Sequence, residues 1–168
     1  MLRMIVMRHA KSSWKDPMLA DHDRPLNQRG VLDCSKMAVR LLEHSHWKPT
    51  NIYSSTAKRA RQTRELWDRT WVELGESSPE CAHHPELYFG GPDAFLSLLE
   101  NCIPKQLPMF VGHNPDIEDL LRELTNEELQ ITTANIALLQ HSAESFQHAA
   151  HLQTWSLVEL LRPRPPRS

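Results

Sequence analysis

Three times along this chain a short apolar run gives way to an amphipathic helical pattern, and this repetition restricts the fold more than any other feature. Residues 2–7 are the first run, and "LNQRGVLDCSKMAVRLLEH" then sets Val31, Cys34, Ala38, Leu41 and Leu42 at helical spacing, with Asn27 as N-cap. "NIYSS" (51–55) precedes "TAKRARQTRELWDRTWVEL", which puts Ala60, Thr63, Trp67, Trp71 and Leu74 on one face. "LPMFVGH" (107–113) precedes a helix that the pattern starts with Asn114 as cap, Pro115 at its first position and Asp116, Glu118 and Asp119 in its early turns, where the helix dipole favours acids. A further helix, "PDAFLSLLENC", starts at Gly91-Pro92, and "NIALLQ" and "TWSLVELL" read as two last strands, antiparallel to one another, joined by a longer loop around 141–151.

Strand-to-helix steps of this kind predict an α/β fold: a three-layer α/β/α sandwich with a mainly parallel sheet covered on both faces. The chain has 168 residues, 40% of them apolar, which suits one core and one domain over 1–162, with "PRPPRS" (163–168) as a flexible tail. Net charge is −2, so no global positive field draws the protein to nucleic acid or to an anionic membrane. Cys34, Cys81 and Cys102 are odd in number and far apart, which argues against a disulfide framework and against a thiolate metal site. "MLRMIVM" is too short and too soon charged for a signal peptide, and no apolar stretch approaches the ~18 residues of a membrane span, so a cytoplasmic protein is expected.

In such a fold ligands bind beyond the carboxyl ends of the parallel strands. Three of those ends carry chemistry: Arg8-His9, the segment from Ser55 to Arg59, and His113. Each has an ordinary alternative. A lone histidine is commonly structural, and Lys58, Arg59, Arg61 and Arg64 could be a solvated helix face. Arg59, however, falls in the first helical turn, where free amides already favour an anion. Two arginines and two histidines at coincident strand ends are hard to read as independent accidents.

"RHAKSSW", "DHDRPLNQRG", Ser55-x-x-x-Arg59-Ala60-x-x-Thr63 and "FVGHNPDIEDL", in that order over about residues 4–124, resemble the histidine phosphatase (phosphoglycerate mutase-like) superfamily, and within it the short SixA-like phosphohistidine phosphatases. The chain has Ala10 where typical members carry glycine, a substitution the short branch often has, and it lacks the long insertions of larger members. The resemblance implies a phosphoglycerate mutase-like sandwich and an open site. It also implies that Lys11 and Ser12 sit in the pocket rim and that Arg24 reaches substrate or braces its loop. Relatives acting on alcohol phosphates carry an acid before the third block; here Glu86 in "HPELYFGG" is the nearest candidate, with Asp93 behind it, and a solvated loop carboxylate is the alternative.

The residues themselves suit phosphoryl transfer, which is catalysed mainly by positioning and by stabilising charge spread over the phosphoryl oxygens. Arg8 and Arg59 can each offer two parallel N–H donors that lysine cannot reproduce. His9 would be the nucleophile, giving a phosphohistidine enzyme that water hydrolyses, provided its other ring nitrogen keeps a proton against a fixed acceptor. His113 would complete the cradle. These four donors require no metal and no cofactor; His44/His46, His83/His84 and His148/His151 lack a carboxylate or thiolate at ligand spacing and read as surface residues. A departing imidazole, with pKa near ~6.5, needs less protonation than an alkoxide, so a phosphoramidate substrate tolerates a poor acid, which agrees with the phosphohistidine on a signalling protein that the resemblance implies as substrate. The partner is then a phosphorylated protein or small phosphorylated molecule, with no nucleic acid or membrane involved, and a monomer suffices. The alternatives are a small-molecule phosphomonoesterase, a non-catalytic phosphate-binding module, and a nucleic-acid binder using Lys58 to Arg64. Retention of both histidines speaks against a mere anion receptor.

Overall fold

The computed structural model describes residues 1–164. The chain runs β1 (Leu2–Arg8), α1 (Gln28–Leu42), β2 (Asn51–Ser55), α2 (Lys58–Glu73), β3 (Glu80–His84), α3 (Pro92–Glu100), β4 (Pro108–Gly112), α4 (Asp116–Thr125), β5 (Ile136–His141), α5 (Phe146–Ala149) and β6 (Ser156–Leu161). The six strands form one sheet in the order β3-β2-β4-β1-β5-β6. β1 pairs with β4, and β2 with β3 and β4, in parallel, whereas β5 runs antiparallel to both β1 and β6. The sheet is therefore mixed: parallel through the half that ends in Arg8, Ser55 and Gly112, antiparallel at the other edge.

Alternation along β1 sorts the core. Leu2, Met4 and Val6 point to the layer formed with Phe95, Leu99, Ile117, Leu120 and Phe146 of α3, α4 and α5. Ile5 and Met7 point to the opposite layer, where Met37, Leu41, Trp67 and Trp71 of α1 and α2 cover them. Both faces of β1 are thus buried, which is why it reads as a continuous apolar run rather than an alternating one. Asn27 caps α1 as its sequence position implies, its side chain accepting from Gly30 N at 2.8 Å.

Several local expectations change. β3 carries no apolar pattern, because only one side of this edge strand has a partner and its side chains are largely exposed. Asn114 is not a helix cap: α4 begins after Pro115, and the Asn114 amide instead donates to Glu118 Oε1 and to Ile131 O, both at 2.8 Å. Val31 and Leu74 lie off the buried faces of their helices, with relative exposures of 39% and 54%. Of the tail expected over 163–168, Pro163 and Arg164 lie against α1: the Lys36 ammonium donates to Pro163 O, and Arg164 Nη1 donates to the buried Asp33 carboxylate at 2.8 Å. Residues 165–168 lie outside the described residues. No helix among the described residues is long and apolar enough to cross a membrane.

Candidate active site

The site follows from the register of the parallel strands. Arg8 at the end of β1 is level with Gly112 at the end of β4, and His9 N donates to Gly112 O at 3.0 Å, so His9 and His113 leave adjacent strands side by side. Their ring centroids are 4.9 Å apart. A side chain at Gly112 would obstruct this exit, because a Cβ there would stand 2.8 Å from the ring of buried Phe95. β2 ends beside them, and the chain turns into α2 through Ser55, whose hydroxyl accepts from Ala57 N at 3.2 Å. Arg59, one residue into α2, is carried back over the histidines and is 2% exposed.

One cleft of about 250 Å³ is lined by Arg8, His9, Lys11, Ser12, Arg24, Arg59 and His113, seven of the eight residues singled out in the sequence. The eighth, Glu86, is not brought there: it follows β3 with its carboxylate turned to His84 Nδ1 at 3.1 Å. The nearby imidazole and its own backbone amide, the latter first, hold it below the usual carboxylate range. Asp93 lies farther off, in the first turn of α3, where it lines a different cavity with Glu123 and His151.

Each ring nitrogen of His9 has a defined partner. Nδ1 is 2.7 Å from Ala10 O, an acceptor only, so Nδ1 carries the proton. Nε2 is left with its lone pair, and it accepts from Arg59 Nε at 3.2 Å. Ala10 N in turn donates to Thr63 Oγ1 at 3.1 Å, and that hydroxyl donates to Arg59 O at 2.7 Å, which ties the histidine's backbone to the helix that bears the arginine. Burial, and then the charges of Arg59, Arg8 and Arg24, push the His9 pKa down to about 3, against the Ala10 bond. His113 is pushed down to about 2 by burial and by His9 and Arg59. Both rings are therefore neutral at pH 7. His113 Nε2 lies 2.8 Å from Ser55 Oγ. That oxygen also accepts from Ala57 N, and His113 Nδ1 has no hydrogen-bond partner among the described residues; in the tautomer with the proton on Nδ1, Nε2 accepts from the Ser55 hydroxyl and Nδ1 can donate to a bound anion.

Sequence reasoning missed Asp21, which organises the cations. Its Oδ2 accepts from Arg59 Nη2 at 3.0 Å and from the Tyr88 hydroxyl at 2.6 Å, and its backbone oxygen accepts from Arg59 Nη1 at 2.7 Å. Oδ1 accepts from Arg24 Nε at 3.1 Å, while Arg24 Nη1 reaches Ser12 Oγ at 2.8 Å. Burial raises the Asp21 pKa, but Tyr88, Arg59 and Arg24 outweigh it and bring the carboxyl to about 2. It is thus an anion in a cleft of cations. Two aromatic side chains, Trp14 and Phe89, also reach the cleft, and Trp14 stacks on the Arg24 guanidinium with 3.5 Å between Cζ and the ring centroid. The basic run of α2 divides: Arg59 turns inward, Lys58 and Arg61 are exposed, and Arg64 pairs with Asp68. No group of three or more potential metal ligands occurs among the described residues.

Chemically, this arrangement offers a neutral imidazole nitrogen beside convergent guanidinium and N–H donors. That combination suits in-line attack on a phosphoryl group. The family model "Histidine phosphatase superfamily (branch 1)" matches residues 4–76. A chloroplastic protein of Arabidopsis thaliana, itself uncharacterized, is 33% identical over 174 residues, covering 96% of this chain and 78% of its own. The crystal structure of an Agrobacterium tumefaciens protein assigned as the phosphohistidine phosphatase SixA superposes with a TM-score of 0.80 at 29% identity, covering 96% of this chain and 98% of that one. The protein histidine phosphatase SixA in complex with tungstate shares the fold, with a TM-score of 0.79 at 20% identity over 96% of this chain and 97% of its own.

Proposed function

This chain belongs to the histidine phosphatase superfamily, in its SixA-like branch, and from that premise we propose that it hydrolyses phosphohistidine on a protein through a covalent phosphohistidine at His9. The observation that carries this reading is the pairing of the His9 ring: Nδ1 is bound to Ala10 O at 2.7 Å, which leaves Nε2 as the nucleophilic nitrogen. Nε2 attacks phosphorus in line, forming an N–P bond as the substrate's P–N bond breaks. Arg8, Arg59 and the His113 N–H hold the phosphoryl oxygens, and the departing imidazole keeps the electron pair of the broken bond and takes up a proton from solvent, which the attack of water in the second step returns. Water then attacks the phosphoenzyme, inorganic phosphate leaves, and His9 is regenerated neutral. The chain's own donors supply the positive charge in this scheme.

The choice of a nitrogen leaving group is favoured by the carboxylates. Asp21 is ionised near neutral pH and Glu86 is turned to His84, so neither is poised to protonate an alkoxide. An imidazole departs with far less help. A monomer with no cofactor is sufficient for every step.

The test is to incubate wild type and His9→Ala with a phosphohistidine-bearing protein and with an aryl phosphate. We expect phosphate bound to the enzyme itself, stable to base and labile to acid, in the wild type alone. Labelling and turnover of the alanine variant at the wild-type rate would remove His9 as nucleophile. A marked preference for the aryl compound would move the assignment to a small-molecule phosphomonoesterase.

A further inference from the structure

Resting on the phosphohistidine reading above, we propose that Phe89 is a specificity-determining residue, its ring being the platform on which the planar imidazole that carries the phosphoryl group lies. Three observations place it in that role. Phe89 lines the cleft, and its ring centroid is 5.0 Å from that of His113, which is itself 4.9 Å from His9. A group attached to a phosphorus held between the two histidines would therefore come within stacking distance of Phe89.

Its backbone adopts φ +58°, a left-handed conformation that bulky side chains rarely accept. Glycine follows at both Gly90 and Gly91, yet the strained position carries an aromatic. The turn is folded too closely on itself to relax: Tyr88 N donates to Pro85 O at 3.0 Å, and a Cβ on Gly90 would stand 2.0 Å from Glu86 O. Strain held in this way at the edge of a reactive site is a mark of function.

Phe89 is also 48% exposed, although it touches Tyr88 and His113. A hydrocarbon ring contributes nothing to a phosphoryl group, which the arginines and histidines already address. What remains for it is the part of the substrate beyond phosphorus. Trp14, the other aromatic lining the cleft, has one face covered by Arg24, and Tyr88 meets His113 edge-on at 5.4 Å with its hydroxyl tied to Asp21, so Phe89 is the more exposed of the two rings beside His113.

The experiment compares two P–N substrates, free phosphohistidine with a ring and phosphoramidate without one, on wild type, Phe89→Leu and Phe89→Tyr. Leucine keeps apolar bulk but not planarity, and the position is exposed enough that both variants fold. The ratio of kcat/KM for phosphohistidine to that for phosphoramidate should fall about three- to tenfold in Phe89→Leu and recover in Phe89→Tyr, the range set by ring-on-ring contact. An unchanged ratio in Phe89→Leu, with wild type active on both compounds, overturns the platform and leaves the phosphatase reading standing. No turnover of either compound by the wild type overturns both.

Discussion

Arg59 donates its Nε–H to His9 Nε2 over 3.2 Å, so the nitrogen proposed to attack phosphorus is already aligned by a residue proposed to bind the phosphoryl group. The other two guanidinium nitrogens are anchored on Asp21, at 2.7 Å to its backbone oxygen and 3.0 Å to its carboxylate. Only a planar fork reaches all three acceptors. Arg59→Lys should therefore fold normally and lose about 10²–10³ in kcat, the usual cost of removing one preorganised donor. Steady-state kinetics beside thermal unfolding checks this, and a loss below fivefold would contradict it.

Asp21 acts on the same arginine with opposite effects on binding and rate. As an anion it repels phosphate, and as an acceptor it fixes Arg59 and Arg24. Asp21→Asn should bind inorganic phosphate up to about fivefold more tightly, as expected for losing a half-exposed charge, while kcat falls. The inhibition constant for phosphate and kcat, measured on one preparation, separate the two. Weaker phosphate binding with an unaltered kcat would reverse the assignment.

Much of this was legible in the chain because strand ends and helix starts are local. Arg8-His9 and His113 close apolar runs, and Arg59 opens a helix, so four of the cleft residues could be named without a structure. Asp21 and Tyr88 could not, since their contact joins residues 67 apart in sequence and neither sits at a strand end. The acid and the aromatic lie in "DHDRPLNQRG" and "HPELYFGG", but nothing local says that one loop folds onto the other. Glu86 is the carboxylate nearest to where the resemblance implies an acid, before the third block; the turn after β3 directs it to His84 instead. β3 itself was missed for the reason that hides polar edge strands in general: its identity comes from the neighbour it hydrogen-bonds, not from a buried face.

The two histidines also set a pH dependence of stability. Folded, they hold pKa values of about 3 and about 2, whereas in the unfolded chain each titrates near ~6.5. Below that pH the unfolded state binds protons that the folded state does not, so stability falls as pH falls, by about 1.4 kcal/mol per pH unit for each histidine. Between pH 6 and pH 4.5, urea unfolding of His113→Gln should show a slope shallower than wild type by about that amount. Parallel slopes would mean that His113 is not held neutral by the fold.

The last prediction concerns a residue outside the cleft that shapes it. Gly30 lies in the first turn of α1, and a Cβ there would stand 2.2 Å from Lys11 O, a backbone atom with no freedom to swing away. The same Lys11 oxygen accepts from Asn27 N at 3.0 Å, and Ser12 next to it accepts from Arg24. The start of α1 and the segment leaving His9 therefore pack backbone to backbone, which only glycine permits. Gly30→Ala forces them apart and should lower stability by about 1–3 kcal/mol, the range for overpacking a closed site. Because the displaced segment carries Lys11 and Ser12 in the cleft, KM should rise while kcat, set by His9 and Arg59, changes less. Urea denaturation and steady-state kinetics on Gly30→Ala test both halves, and wild-type stability in this variant would show that α1 can move without disturbing the cleft.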